Sequence, residues 1–135
     1  MFRPFAGLVL GLVLVSLVGC AKPMHPVKGF VHFKDGAPLK AGRVVIDFED
    51  GKTGAWGAIR EDGTFEMGTL TPNDGVPPGT YKVYLTSTIE PPPASLGPGY
   101  VPKELIHKKF ADKETSGIVF QVPQQTTWDI VVEKP

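Results

Sequence analysis

The sequence predicts an all-β domain, a two-layer sandwich built from seven strands. Three observations predict it. Glycine and proline are abundant, at 16 and 14 of 135 residues, and fall at intervals between short apolar stretches, which is the punctuation of a turn-rich β chain. Within the stretches apolar and polar residues alternate with a period of two, the pattern of a half-buried strand. Several such strands at regular spacing indicate a sandwich.

The first expected strand is Val27 to Lys34, with Val27, Val31 and Phe33 on one face and Lys28, His32 and Lys34 on the other. Asp35-Gly36 then marks a turn, because glycine tolerates the positive φ of tight hairpins. The second strand runs from Arg43 to Glu49, with Val44, Ile46 and Phe48 inward. The third lies near Gly54 to Arg60, and its inward parity is open. Asp62-Gly63 turns the chain into the fourth, Thr64 to Thr69, with Phe65 and Met67 inward; these two strands read as a hairpin. The fifth, Thr80 to Ser87, alternates Tyr81, Val83 and Leu85 against Lys82, Tyr84 and Thr86. The sixth is Gly117 to Val122 and the seventh Thr126 to Glu133, contributing Ile118, Phe120, Val122, Trp128, Ile130 and Val132. Each such side chain stabilises by about 1.5–3 kcal/mol when buried. That suffices for a core without disulfides at this size.

Residues 88–116 break the rhythm. Pro91-Pro92-Pro93 cannot join a central strand, since proline has no backbone donor. Pro102 suits the first position of a short helical turn reaching Phe110. An insertion this long is unusual in a compact domain and is often functional; parts of it are expected to stand off the sheets.

The N-terminus carries a separate signal. Arg3 precedes the apolar run Phe5 to Val18, whose only polar residue is Ser16. Fourteen residues are too few to span hydrocarbon, which takes roughly 20; the run reads as the core of a secretion signal. It ends in Leu17-Val18-Gly19-Cys20. This resembles the lipobox of bacterial lipoproteins. The resemblance implies a diacylglyceryl group on the Cys20 thiol, cleavage before Cys20 and acylation of the new amino group. It also accounts for a lone cysteine in an exported chain. Ala21 after the cysteine implies, by the family's sorting pattern, an outer-membrane destination facing the periplasm or cell surface. The expected organisation is a signal peptide over 1–19, a lipidated tether over 20–26 and a sandwich over 27–135. The domain is held near the bilayer through lipid on Cys20.

Charge excludes one function class. Fourteen basic and 14 acidic residues balance, and no basic stripe suits a nucleic acid.

Within 27–133 the ordered motifs Val27-Lys28-Gly29-Phe30-Val31, Asp35-Gly36-Ala37-Pro38-Leu39, Ala41-Gly42-Arg43-Val44, Glu61-Asp62-Gly63-Thr64-Phe65 and Pro78-Gly79-Thr80-Tyr81-Lys82-Val83 resemble carboxypeptidase regulatory-like and transthyretin-like domains. Phe110 to Gly117 is similar to small envelope lipoproteins that carry this domain alone. The resemblance implies an immunoglobulin-like (prealbumin-like) Greek-key sandwich. It implies little about activity, since such folds host many functions. A purine-catabolism hydrolase shares the transthyretin-like fold, but its C-terminal Tyr-Arg-Gly-Ser motif has no counterpart in Asp129 to Pro135, so that activity is not carried over.

Chemistry-bearing residues are sparse. His25, His32 and His107 lack metal-ligand spacing, and no metal site or cofactor is expected. Asp112 and Ser116 near His107 suggest a nucleophile and base only by proximity in sequence, whereas triads are recognised by geometry. Asp47, Glu49 and Asp50 lack the spaced oxygens of a calcium loop. The expectation is a non-enzymatic structural or binding module with an envelope protein or glycan partner. The alternatives are an accessory subunit of an envelope enzyme or transport system, and a carbohydrate-binding module using Trp56 and Tyr100. An enzyme with a site in the 88–116 loop ranks lower. For a partner surface the alternation nominates Phe30, Val45 and Tyr84, all facing away from the core. Val45 and Tyr84 lie side by side if the second and fifth strands are neighbours. Phe30 joins them if the first strand shares their sheet.

Overall fold

A computed structural model describes residues 23–92 and 94–135. The lipobox Leu17, Val18, Gly19 and Cys20 lies outside the described residues. Seven strands form: β1 (Lys28–Phe33), β2 (Arg43–Asp47), β3 (Gly54–Ala58), β4 (Thr64–Glu66), β5 (Gly79–Thr86), β6 (Ile118–Val122) and β7 (Thr127–Val132). They make two sheets, one ordered β4-β1-β7 and one ordered β3-β2-β5-β6. The described residues form an all-β, two-sheet sandwich.

The inward faces explain the packing. Val31, Val44, Ile46, Phe65, Val83, Leu85, Trp128, Ile130 and Val132 are all buried, and they sit at alternate positions of their strands. Trp128 stacks on Phe120 with ring centroids 4.8 Å apart and tilts against Phe65 at 6.5 Å. The parity of β3 resolves with Ala55 and Gly57 inward and Trp56 outward. Small residues on both faces of this strand had hidden it.

β1 is the centre of its sheet. It pairs antiparallel with β4 and parallel with β7, so the first and last strands run side by side. Gly29 is opposite both Phe65 and Trp128. A Cβ at Gly29 would fall 2.1 Å from the Trp128 carbonyl oxygen and 2.6 Å from the Phe65 ring. The missing side chain is what lets the Phe65 ring lie over β1. At the β3–β4 turn Gly63 has φ +83 and accepts a 2.8 Å hydrogen bond from the Val31 N–H. Asp62 closes this turn by accepting from the N–H and hydroxyl of Thr64.

The register sorts the loops to two poles. His25 bridges Val76, and Met24 shares a depression with Asp47 to Asp50 and Pro77 to Tyr81. This is the tether pole, so called because it holds Met24 and His25 of the expected tether. β1 and β7 run away from it, so the Asp35-Gly36 turn and the C-terminal residues lie at the opposite pole. The 88–116 stretch leaves β5 at that far pole and is only partly free. Thr88, Ile106, Phe110 and Ser116 are buried, and Ile89 bridges Glu104. Every described residue from Glu90 to Lys103 is exposed. The expected helical turn is a 3-10 turn over Lys108–Ala111, beginning well after Pro102 and capped by the His107 ring, which accepts from the Lys109 N–H.

Candidate functional site

The site of interest is the outer face of the four-stranded sheet. Val45 of β2 is opposite Trp56 of β3 on one side and Tyr84 of β5 on the other. Residues in register share a face, so three side chains form one row across three strands. Two strand spacings place the Trp56 and Tyr84 Cα atoms roughly 10 Å apart. Trp56 is 47% exposed, and Val45 and Tyr84 are half-buried. On β6 Val119 is 51% exposed, and its register partner Lys82 belongs to the same face.

Polar groups frame the row. The Arg43 guanidinium lies 4.6 Å from the centre of the Trp56 ring, a cation–π contact. At the other end the Tyr84 hydroxyl donates to Asp47 Oδ1 at 3.0 Å, and Lys113 Nζ donates to Asp47 Oδ2 at 3.3 Å. Burial, reinforced by the Asp47 carboxylate, pushes the Tyr84 hydroxyl pKa up, so it stays a donor at neutral pH. Beyond the β3 edge, Trp56 exchanges two 3.0 Å backbone hydrogen bonds with Gly68. There its side chain lines a cavity of about 210 Å³ with Leu70, Pro72 and Glu66. An amphipathic face of this kind, apolar at its centre with fixed donors and acceptors around it, suits a protein or sugar surface.

Phe30 does not join this row, because β1 is hydrogen-bonded to β4 and β7 and so belongs to the other sheet. Its ring stacks on His32 with centroids 4.9 Å apart. Tyr100 is also separate from Trp56; it lines a cavity with Glu90, Pro91, Val101 and Lys103 in the 88–116 stretch. Trp56 therefore shares its row with Tyr84, across Val45, rather than with Tyr100.

The remaining candidates are dispersed. His25 meets Val76 through backbone bonds, and His32 bonds Asp129. The Ser116 hydroxyl is buried and donates to the Val83 carbonyl, while Asp112 accepts from the Glu114 N–H. Neither of these two meets His107, whose Nδ1 is held by the Lys109 N–H. Asp50 closes its own turn through Lys52 and Thr53, and those bonds hold its carboxyl below the usual range. Among the described residues no group of three or more His, Cys, Asp and Glu side chains could hold a metal ion. No described helix is long and apolar enough to cross a membrane.

Two relationships had no clear signal in the sequence. The His32–Asp129 pair depends on parallel pairing of the first and last strands. The Trp56–Leu70 cleft depends on the loop after β4 folding back along β3. No family model, curated protein or solved structure matches the chain.

Proposed function

We propose that this chain is a lipid-anchored envelope lipoprotein. Its carboxypeptidase regulatory-like, immunoglobulin-like Greek-key sandwich is a non-enzymatic binding module. Lipid on Cys20 holds it to a membrane, with the outer membrane favoured by Ala21. The outer face of β3-β2-β5-β6 meets an envelope protein. The Trp56–Val45–Tyr84 row carries this reading, because a contiguous apolar strip framed by fixed polar groups marks interaction surfaces better than scattered exposed residues do. The ordered turn motifs support the family reading, the two-sheet architecture is consistent with it, and the Leu17-Val18-Gly19-Cys20 motif supports the anchor.

A glycan partner is the second reading, favoured by the half-exposed Trp56 ring. The accessory-subunit reading is the protein-partner reading with the partner specified.

Two variants of the full chain test the proposal. Cys20→Ala is expected to lose acyl mass and membrane retention; retention of both would overturn the anchor. Val45→Thr combined with Tyr84→Ser is expected to keep the thermal midpoint close to wild type and to abolish crosslinks to envelope proteins in cells. Crosslinks that survive in a stable variant would remove this face from consideration. Binding of the purified chain to isolated wall polysaccharide, lost on Trp56→Ala, would favour the glycan.

A further inference from the structure

Leu70 is the most exposed large hydrophobic side chain among the described residues, at 87%, yet its loop is clamped. The N–H groups of Thr69, Leu70 and Thr71 all donate to the Asp74 carboxylate, at 2.6, 3.0 and 3.1 Å. The Thr69 hydroxyl donates to the Gly75 carbonyl at 2.8 Å, and the Gly75 N–H donates to Met67 at 3.0 Å. A leucine held out on so many bonds costs solvation without gaining packing inside the domain.

The loop stands on the tether. Next to Gly75, Val76 exchanges two 2.9 Å backbone bonds with His25. A Cβ on Gly75 would meet the His25 carbonyl oxygen at 2.3 Å. His25 follows Cys20 by five residues, which reach at most about 18 Å when extended. Pro23 and Pro78 are also exposed at this pole, and Pro72 is exposed in the loop itself. Its charges are mixed, with Lys52 among Glu49, Asp50 and Asp74, so it offers no basic patch for anionic lipid.

We propose that the Thr69–Asp74 loop is a second membrane contact, inserting Leu70 into the interface of the zwitterionic bilayer that holds the chain's own lipid. This rests on the Cys20 anchor proposed above. A lipid alone leaves the domain free to swivel on its tether. Because the anchor supplies a high effective concentration, one apolar side chain of Leu70's size is enough to bias the orientation. The contact sets the tether pole on the bilayer and turns the Trp56–Val45–Tyr84 row sideways, along the membrane.

The test uses the full chain purified from membranes and reconstituted in phosphatidylcholine–phosphatidylethanolamine vesicles. A photocrosslinking amino acid replaces Leu70 or, as the control, Leu96, which is 62% exposed in the stretch that leaves β5 at the far pole. Acyl mass is measured on the same samples. The expected result is acylated protein with phospholipid adducts at position 70, about tenfold or more above position 96, and undiminished by high salt. Acylated protein with equal adducts at both positions, or with none at position 70, would overturn the loop contact and leave the anchor standing. Protein without acyl mass would overturn the anchor, and this proposal with it.

Discussion

His32 Nε2 lies 2.7 Å from Asp129 Oδ1, while the other ring nitrogen, Nδ1, lies 2.9 Å from the Phe33 carbonyl oxygen. Both partners are acceptors. A neutral imidazole can donate from one nitrogen only, so the charged ring alone satisfies both contacts. The Phe33 carbonyl, then Asp129 through its bond and its charge, raise the His32 pKa above 6.5, against the opposing effect of burial.

The sign of the pH effect follows. Folded His32 binds its proton more tightly than the unfolded chain does. Its contribution is full below the unfolded value and fades as pH rises through the raised folded value. Wild type is expected to be more stable than His32→Gln by less than about 1 kcal/mol near pH 5, the scale of exposed pairs. The difference should vanish at alkaline pH. Urea titrations of both proteins across this range check it; an advantage that grew with pH would contradict the geometry.

Gly29→Ala is expected to cost at least about 2 kcal/mol, since the new methyl would collide with backbone at Trp128 and with the Phe65 ring, and overpacked cores are destabilised on that scale. Calorimetry would read it as a lowered midpoint. A neutral result would mean that β1, β4 and β7 do not meet as described.

The two tryptophans should behave oppositely. Trp128 is 0% exposed and donates from its indole nitrogen to the Gln125 carbonyl at 2.9 Å. Trp128→Ala is expected to cost about 3–5 kcal/mol. Trp56→Ala removes an outward ring and should cost under about 1 kcal/mol. Denaturant midpoints of the two variants distinguish these outcomes.

Limited proteolysis should respect the packed and open parts of the 88–116 stretch. Chymotrypsin is expected to cut first after Leu96 or Tyr100 and to spare Phe110, which is 4% exposed. Trypsin should favour Lys103 over Lys108, whose 3-10 turn is pinned by that phenylalanine. Mass spectrometry of early fragments checks both preferences, and early cleavage within β5 would contradict the fold.

The strands were legible because alternation records burial locally. Val44, Ile46, Tyr81, Val83 and Leu85 each declare their face through their neighbours two positions away. The sheet assignment was not legible in that way. Nothing near Phe30 says whether β1 pairs with β2 or with β7, since that choice is made by contacts far along the chain. Val45 and Tyr84 were nominated by parity and meet by register. Trp56 lies between glycine and alanine, whose small side chains carry no facing information. Leu70 was hidden for another reason: the fourth strand was expected to run on to Thr69, but it ends at Glu66, after which Asp74 gathers the backbone donors into a loop.

The parallel β1–β7 pair has a consequence for the order of events in making this protein. One neighbour of β1 is β7, synthesised long after it, and strands paired across such a separation form slowly. Under the proposed export, a chain threaded amino end first would reach the far side with β1 able to pair with β4 but with its other edge still waiting for β7. On that reading the three-stranded sheet closes only after β7 has crossed. Until then the proposed export would carry a chain whose smaller sheet is still open along one edge of β1, as passage through a narrow channel requires.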